Sequence, residues 1–290
     1  MPELPEVEGV VRELAPASKG RTISEVKVSD VIRSSKELGK EAIVKGKTLD
    51  DFIEELSQMT IMDITRRSKY IYFHLKKEGQ PHLLVSHLGM SGAWFVVDSL
   101  DEVTERKFRN HIHVIFTMDD GGMLVYSDIR RFGELRLLGK EEDYSPLLKM
   151  APEPFSKEAI DHFLTMASTP KYARKPIKEV IMDGHIISGC GNIYATEALF
   201  RMNIHPNRTT ERISEKRKKE LFEVIVEVLQ ESIDAGGSSI SDYRNINGEA
   251  GTMQTRLKMY GKKVCGQCGS STKSLKIAGR TSVYCPKCQR

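Results

Sequence analysis

The chain has 290 residues, 39% hydrophobic and 29% charged, which is enough for two or three compact units with real cores. No apolar run approaches bilayer-spanning length and no basic-then-apolar leader opens the chain, so membrane and secreted classes are set aside and a cytosolic or nucleoid location is expected. The net charge of +4 is uneven, because residues 251–290 carry nine Lys and Arg with no Asp or Glu, leaving 35 basic against 40 acidic residues over 1–250. After four thiolates and one zinc ion that tail would still carry about +7, the footprint of a polyanion such as nucleic acid.

The chain begins Met1-Pro2-Glu3-Leu4-Pro5-Glu6. Trimming Met1 would expose a secondary amine on Pro2, and a terminal amine is easier to keep unprotonated than a lysine, at roughly 7.7 to 8.0 against 10.4. Such an amine can act as a nucleophile, although a proline at position 2 also serves simply as a signal for methionine removal. Val7, Val10, Val11 and Leu14 recur at helical spacing, which predicts an amphipathic helix over residues 5–15 ended by Pro16.

From about residue 22 to 140 the pattern has period two: Ile71, Phe73 and Leu75, then Ile112, Val114, Phe116 and Met118, alternate with more polar neighbours. This predicts a half-buried antiparallel sheet region, with Asp119-Asp120-Gly121-Gly122 as a hairpin signal. His111 and His113 share a strand face without a third metal ligand nearby, so ordinary strand hydrogen bonding is expected of them.

Beyond Pro152 and Pro154 the periodicity is helical over 159–166, 177–182, 193–202 and 215–233. Between the second and third of these, Asp183 to Asn192 holds three glycines and delivers Asn192 to a helix start. Either it is a generic helix-hairpin turn or its glycines and free N–H groups admit a phosphate. Cys190 in that turn reads as a small buried residue. Residues 236–255 are polar and glycine-rich, as expected of a mobile loop that closes over a ligand or links domains.

The most specific local motif is Cys265-x2-Cys268, sixteen residues, then Cys285-x2-Cys288. It matches a four-cysteine zinc ribbon. With every ligand position filled by cysteine, the expected Zn2+ is structural, and it holds together a segment poor in large apolar residues.

Six collinear segments, 2–8, Arg66-Arg67-Ser68-Lys69-Tyr70, His87 to Gly92, Asp128-Ile129-Arg130-Arg131-Phe132-Gly133, Gly191-Asn192-Ile193-Tyr194-Ala195 and the ribbon with Ala278-Gly279-Arg280, together resemble the formamidopyrimidine-DNA glycosylase family over essentially the whole chain. The resemblance implies an α+β multidomain protein: an N-terminal antiparallel β-sandwich with a leading helix (1–145), a helix-two-turn-helix domain (146–236), a lesion-capping loop (237–256) and a zinc-ribbon finger (257–290), with DNA in the cleft between. It further implies a monomer acting on double-stranded DNA that contains oxidised bases.

By the same resemblance, Pro2 is the nucleophile and Glu3 the acid that assists sugar-ring opening, while Glu6 and Glu197 are supporting carboxylates. Lys69, His87, Asn192, Tyr260 and Arg280 grip phosphates around the lesion, Lys69 and Arg280 counting with the catalytic group. Met90, Arg130 and Phe132 fill the gap left by the extruded nucleotide. Leu4 and the long loop at 237–252 resemble the type that removes oxidised purines. Gly9, Ile129, Gly184 and Cys190 depart from the usual residues at places with no proposed catalytic role. Two alternatives stay open: an endonuclease VIII-type glycosylase for oxidised pyrimidines, and a non-catalytic zinc-ribbon protein that binds DNA through its basic tail.

Overall fold

The stripe of Val7, Val10, Val11 and Leu14 becomes the buried side of α1 (Leu4–Ser18) in the computed structural model, which describes residues 2–239 and 245–290. The helix runs through Pro16 instead of ending before it. Proline removes one N–H donor, a loss confined to the last turn, beyond which the Lys19 N–H still reaches the Ala15 carbonyl at 3.0 Å.

The chain divides into two compact units, one comprising the chain up to Leu148 with Gly236–Thr252, the other Lys149–Ala235 with Met253–Arg290. In chain order the first contains α1, β1 (Ile23–Val28), α2 (Asp30–Glu37), β2 (Ile43–Val44), α3 (Leu49–Leu56), β3 (Thr60–Arg67), β4 (Tyr70–Lys77), β5 (Gln80–His87), β6 (Gly92–Val97), α4 (Arg106–Arg109), β7 (Ile112–Met118), β8 (Met123–Asp128), β9 (Glu134–Leu138) and α5 (Ser145–Leu148). Its strands form a four-stranded sheet, β1-β7-β8-β6, and a five-stranded sheet, β2-β9-β5-β4-β3, antiparallel except where β2 runs beside β9.

The two sheets share one apolar core with α1. At its centre is the single tryptophan, Trp94 on β6, whose ring lies 5.0 Å from Phe73 of β4, 5.6 Å from Phe116 of β7 and 5.1 Å from Tyr126 of β8. Its indole N–H donates to Ser86 Oγ at 3.1 Å, so the polar edge of a buried ring is satisfied. The period-two reading holds for Val114, Phe116 and Met118 but fails at Ile112. The pairing of β7 with β8 shifts between Ile112 and Val114, and a one-residue bulge moves Ile112 to the opposite face, beside Phe95 and Phe108. His113, at the bulge, is buried with Nδ1 3.0 Å from Ser29 Oγ and Nε2 3.2 Å from the Asp128 carbonyl.

The second unit contains α6 (Ala159–Ala167), α7 (Pro170–Ala173), α8 (Ile177–Ile181), α9 (Asn192–Arg201), α10 (Glu215–Asp234) and the hairpin β10 (Lys273–Ile277) and β11 (Arg280–Tyr284). Ser214 caps α10 by accepting the Arg217 N–H, and Phe163 of α6 stacks on Phe222 of α10 at 5.7 Å. Tyr194 on α9 shares a 2.6 Å hydrogen bond with Ser232 on α10. Among the described residues no helix is long and apolar enough to cross a membrane.

Truncating Phe116 to alanine, a side chain only 2% exposed, is expected to cost about 3 to 5 kcal/mol. Urea unfolding followed by Trp94 fluorescence measures it.

Candidate functional site

In the first unit the sequence-derived residues lie at the start of α1 and in three turns. Pro2 is buried and leads directly into Glu3, whose N–H donates to Glu6 Oε2 at 2.8 Å. The second oxygen of Glu6 accepts the Ser238 N–H at 2.7 Å, so this buried carboxylate joins the helix start to the root of the glycine-rich segment. Farther along, Glu13 accepts from Asn245 at 3.1 Å and from the Ile246 N–H at 3.3 Å. The expected capping segment at 237–252 is thus tied to α1 at Ser238 and at Asn245 and Ile246, on either side of residues 240–244, which lie outside those described.

Lys69 sits in the two-residue turn joining β3 to β4, where Ser68 takes φ +56°. Arg66 fixes that turn by donating to Ser68 O at 3.0 Å and to Glu8 on α1 at 2.8 Å. Across the sheet Tyr70 pairs with His87 at the end of β5, their rings 4.8 Å apart. Burial, helped by the nearby Lys69 ammonium, lowers the His87 imidazole to about 4. Its Nδ1 accepts the Gly89 N–H at 3.2 Å, which puts the ring proton on Nε2 as a neutral donor.

Met90 lies in the turn 87–92, half-buried, while Arg130 and Phe132 lie exposed in the turn 128–133. Phe132 is 61% exposed, although a phenylalanine is ordinarily a core residue, and the Arg130 guanidinium sits 5.0 Å from its ring centre. The two turns touch backbone to backbone: a Cβ on Gly89, which has φ +58°, would lie 2.5 Å from the Gly133 nitrogen. Asp128 holds them by accepting from Ser91 Oγ at 2.7 Å and from the Gly133 N–H at 2.7 Å. Sequence reasoning gave Asp128 and Ser91 no role, since a partner 37 residues away leaves no local trace.

In the second unit Gly191 precedes α9, and Asn192, its first residue, donates through Nδ2 to the Thr281 carbonyl at 3.2 Å. That bond sets Asn192 beside the strand that begins with Arg280. Arg280 is exposed just after a turn at Ala278 and Gly279, whose φ values of +48° and +73° fit a primed hairpin turn. Glu197, 1% exposed on α9, accepts N–H groups from Lys258, Met259 and Tyr260 at 2.8, 2.8 and 2.7 Å. A buried carboxylate is tolerable only with such donors, and here they fix the backbone that presents Tyr260.

Cys265, Cys268, Cys285 and Cys288 bring four sulfurs within 4.8 Å of one another. Two of the separations are 3.5 and 4.0 Å, bracketing the edge of about 3.8 Å of a tetrahedron with zinc–sulfur arms of about 2.3 Å. The donor set suits one structural zinc ion with no open position. Gln289 couples the knuckle to the segment after α9, accepting the Cys285 N–H at 2.8 Å and donating to the Ile204 carbonyl at 2.9 Å. Cys190 is 1% exposed in its turn, a packing residue.

Residues 1–135 match the family described as formamidopyrimidine-DNA glycosylase N-terminal domain, 150–244 the formamidopyrimidine-DNA glycosylase H2TH domain, and 262–290 a zinc finger found in FPG and IleRS. The chain is 37% identical to the formamidopyrimidine-DNA glycosylase of Bacillus licheniformis, covering 100% of both chains. It superposes with a TM-score of 0.83 at 32% identity on a mutant Lactococcus lactis FPG in complex with Fapy-dG containing DNA, covering 100% of each chain. The wild-type Lactococcus lactis FPG, in complex with an oxidized pyrimidine containing DNA, gives 0.82 at 31% identity, also covering 100% of each.

Two outcomes test the site's physical chemistry. Stripping the metal with a chelator is expected to remove one zinc per chain and abolish amide-exchange protection in β10 and β11 while leaving Trp94 emission unchanged. For His87, the unfolded chain takes a proton near pH 6.5 and the folded chain only near 4, so stability falls with decreasing pH across that window. His87→Gln should remove that part of the slope in pH-dependent urea melts.

The domain matches in order and the full-length similarity to its relatives show that this chain belongs to the formamidopyrimidine-DNA glycosylase family.

Proposed function

We propose that this protein is a bifunctional DNA glycosylase and abasic-site lyase of base excision repair, removing oxidised purines such as 8-oxoguanine and formamidopyrimidines from duplex DNA. The observation that carries this reading is the placement of Pro2 immediately before a buried pair of glutamates, in a chain that matches the family throughout its length.

Met1 lies outside the described residues, and its removal is the first requirement, since it frees the Pro2 nitrogen. That nitrogen's lone pair bonds to the sugar carbon C1′ while the bond to the damaged base breaks, and the base leaves with the electron pair and takes up a proton. Glu3 relays a proton to the ring oxygen as the sugar opens, leaving an iminium between Pro2 and C1′. The iminium acidifies the neighbouring C2′ proton, whose loss expels the 3′ phosphate, and a second elimination expels the 5′ phosphate. Hydrolysis then returns the free amine. A secondary amine suits this chemistry because it reaches the cation without shedding a second N–H proton.

The remaining side chains hold DNA. Lys69, neutral His87, Asn192, Tyr260 and Arg280 contact backbone phosphates, which sets register without reading sequence. Met90, Arg130 and Phe132 fill the space of the extruded nucleotide, and an exposed phenyl ring beside a guanidinium suits stacking against bases. Cys265, Cys268, Cys285 and Cys288 would hold a structural zinc ion, which would supply rigidity to the Arg280 hairpin. The segment 237–252 closes over the lesion, and the protein acts as a monomer.

A second reading, a preference for oxidised pyrimidines, is favoured by the Lactococcus lactis enzyme's complex with such DNA. Borohydride reduction during turnover separates the possibilities. The protein lacking Met1 is expected to form a covalent adduct with 8-oxoguanine duplex, Pro2→Gly to form at most a trace, and thymine glycol duplex to react more slowly. Absence of any adduct would leave only a DNA-binding protein, and a faster thymine glycol reaction would favour the pyrimidine reading.

A further inference from the structure

Asp128 has no exposed surface, and the reaction above assigns it no part. We propose that Asp128 is a positioning residue that locks the turns 87–92 and 128–133 into one block, so that Met90, Arg130 and Phe132 enter the duplex together. The inference rests on the insertion role assigned to those three side chains.

Its carboxylate takes donors from both turns. Oδ1 accepts the Ser91 hydroxyl at 2.7 Å and the Arg130 N–H at 3.2 Å, and Oδ2 accepts the Gly133 N–H at 2.7 Å. The Arg130 N–H also lies 2.9 Å from Ser91 Oγ, closing a small cycle between the turns. The residues bonded to Asp128 are therefore Ser91, next to Met90, on one turn and Arg130 and Gly133, which bracket Phe132, on the other. Arg131 between them holds φ +57°, a left-handed conformation that a non-glycine residue keeps only when its neighbours are fixed.

The base of the block is equally determined. His113 meets the Asp128 carbonyl, and the Tyr126 hydroxyl donates to the His87 carbonyl at 3.4 Å. A Cβ on Gly92 would lie 2.5 Å from the Leu88 carbonyl oxygen, and one on Gly133 2.8 Å from the His87 carbonyl oxygen, so a larger residue fits at neither glycine without moving backbone. Two independent loops would each lose conformational freedom when forced into a base stack. A block ordered during folding has already lost it, which lowers the cost of insertion.

The test uses full-length protein with Met1 removed, and DNA carrying 2-aminopurine beside the lesion to report unstacking. In Asp128→Asn, where an amide donor would face N–H groups, the insertion transient and duplex excision are expected to fall about 10- to 100-fold. The borohydride adduct with a single-stranded abasic oligonucleotide, which has no stack to open, is expected to persist. Ser91→Ala, which deletes one donor and leaves the carboxylate, is expected to show a smaller loss of the same signal and serves where Asp128→Asn does not fold. A transient of wild-type rate and amplitude in either variant overturns the proposal, as does a single-strand adduct lost in parallel with duplex excision. If wild-type protein forms no adduct at all, the glycosylase reading fails instead.

Discussion

A carboxylate sealed away from water is stable only where hydrogen-bond donors surround it, and Glu6, Asp128 and Glu197 meet that constraint by recruiting backbone N–H groups from distinct stretches of chain. Glu6 gathers those of Glu3 and Ser238, Asp128 those of Arg130 and Gly133, and Glu197 those of Lys258, Met259 and Tyr260. Each gathers a stretch of irregular chain that bears a side chain assigned to DNA or to the reaction. Helices and strands supply rigid places for the acids, and the acids impose rigidity on loops that have no ladder of their own. The side chains proposed to act on DNA therefore sit on turns that are nearly as determined as the elements beside them.

The ribbon follows another route to the same end. Its strands are short and mostly solvent-facing, with little apolar surface to bury, and four sulfurs within 4.8 Å of one another stand where a core would be. Gln289 and the ring contact between His205 and Tyr284, 4.4 Å apart, join it to the chain after α9. The basic excess of the last forty residues is thus displayed on a module whose four cysteines can hold a metal ion and which a few specific bonds tie to the chain.

Much of this was legible in the sequence because the signals were local. Cysteine spacing announced the ribbon, the 3.6 period gave α1, α6, α9 and α10 to within a few residues, and alternation gave β4 and most of β7. What escaped was set by distant partners or by single-residue irregularities. The bulge between Ile112 and Val114 reverses a face without altering composition, and α2 and α3 are eight-residue helices inside a strand-rich stretch, too short for a clear period. Pro16 signalled a helix end because a proline's usual effect says nothing of how little the last turn needs its donor. The six resemblance segments named Arg130 and Phe132, but the grip of Asp128 on the turn that carries them depends on contacts no spacing rule contains.

The chain leaves the first unit at Leu148, builds most of the second, returns for Gly236–Thr252 and departs again. On a ribosome adding about 5 to 20 residues per second, the sandwich waits some seconds before the return that brings donors to Glu6 and Glu13 has even been polymerised. Until then Glu6 lacks the Ser238 N–H and Glu13 lacks its donors from Asn245 and Ile246. A chain cut short before this return would therefore keep its first 148 residues but lose the bonds that tie Glu6 and Glu13 to the later segment.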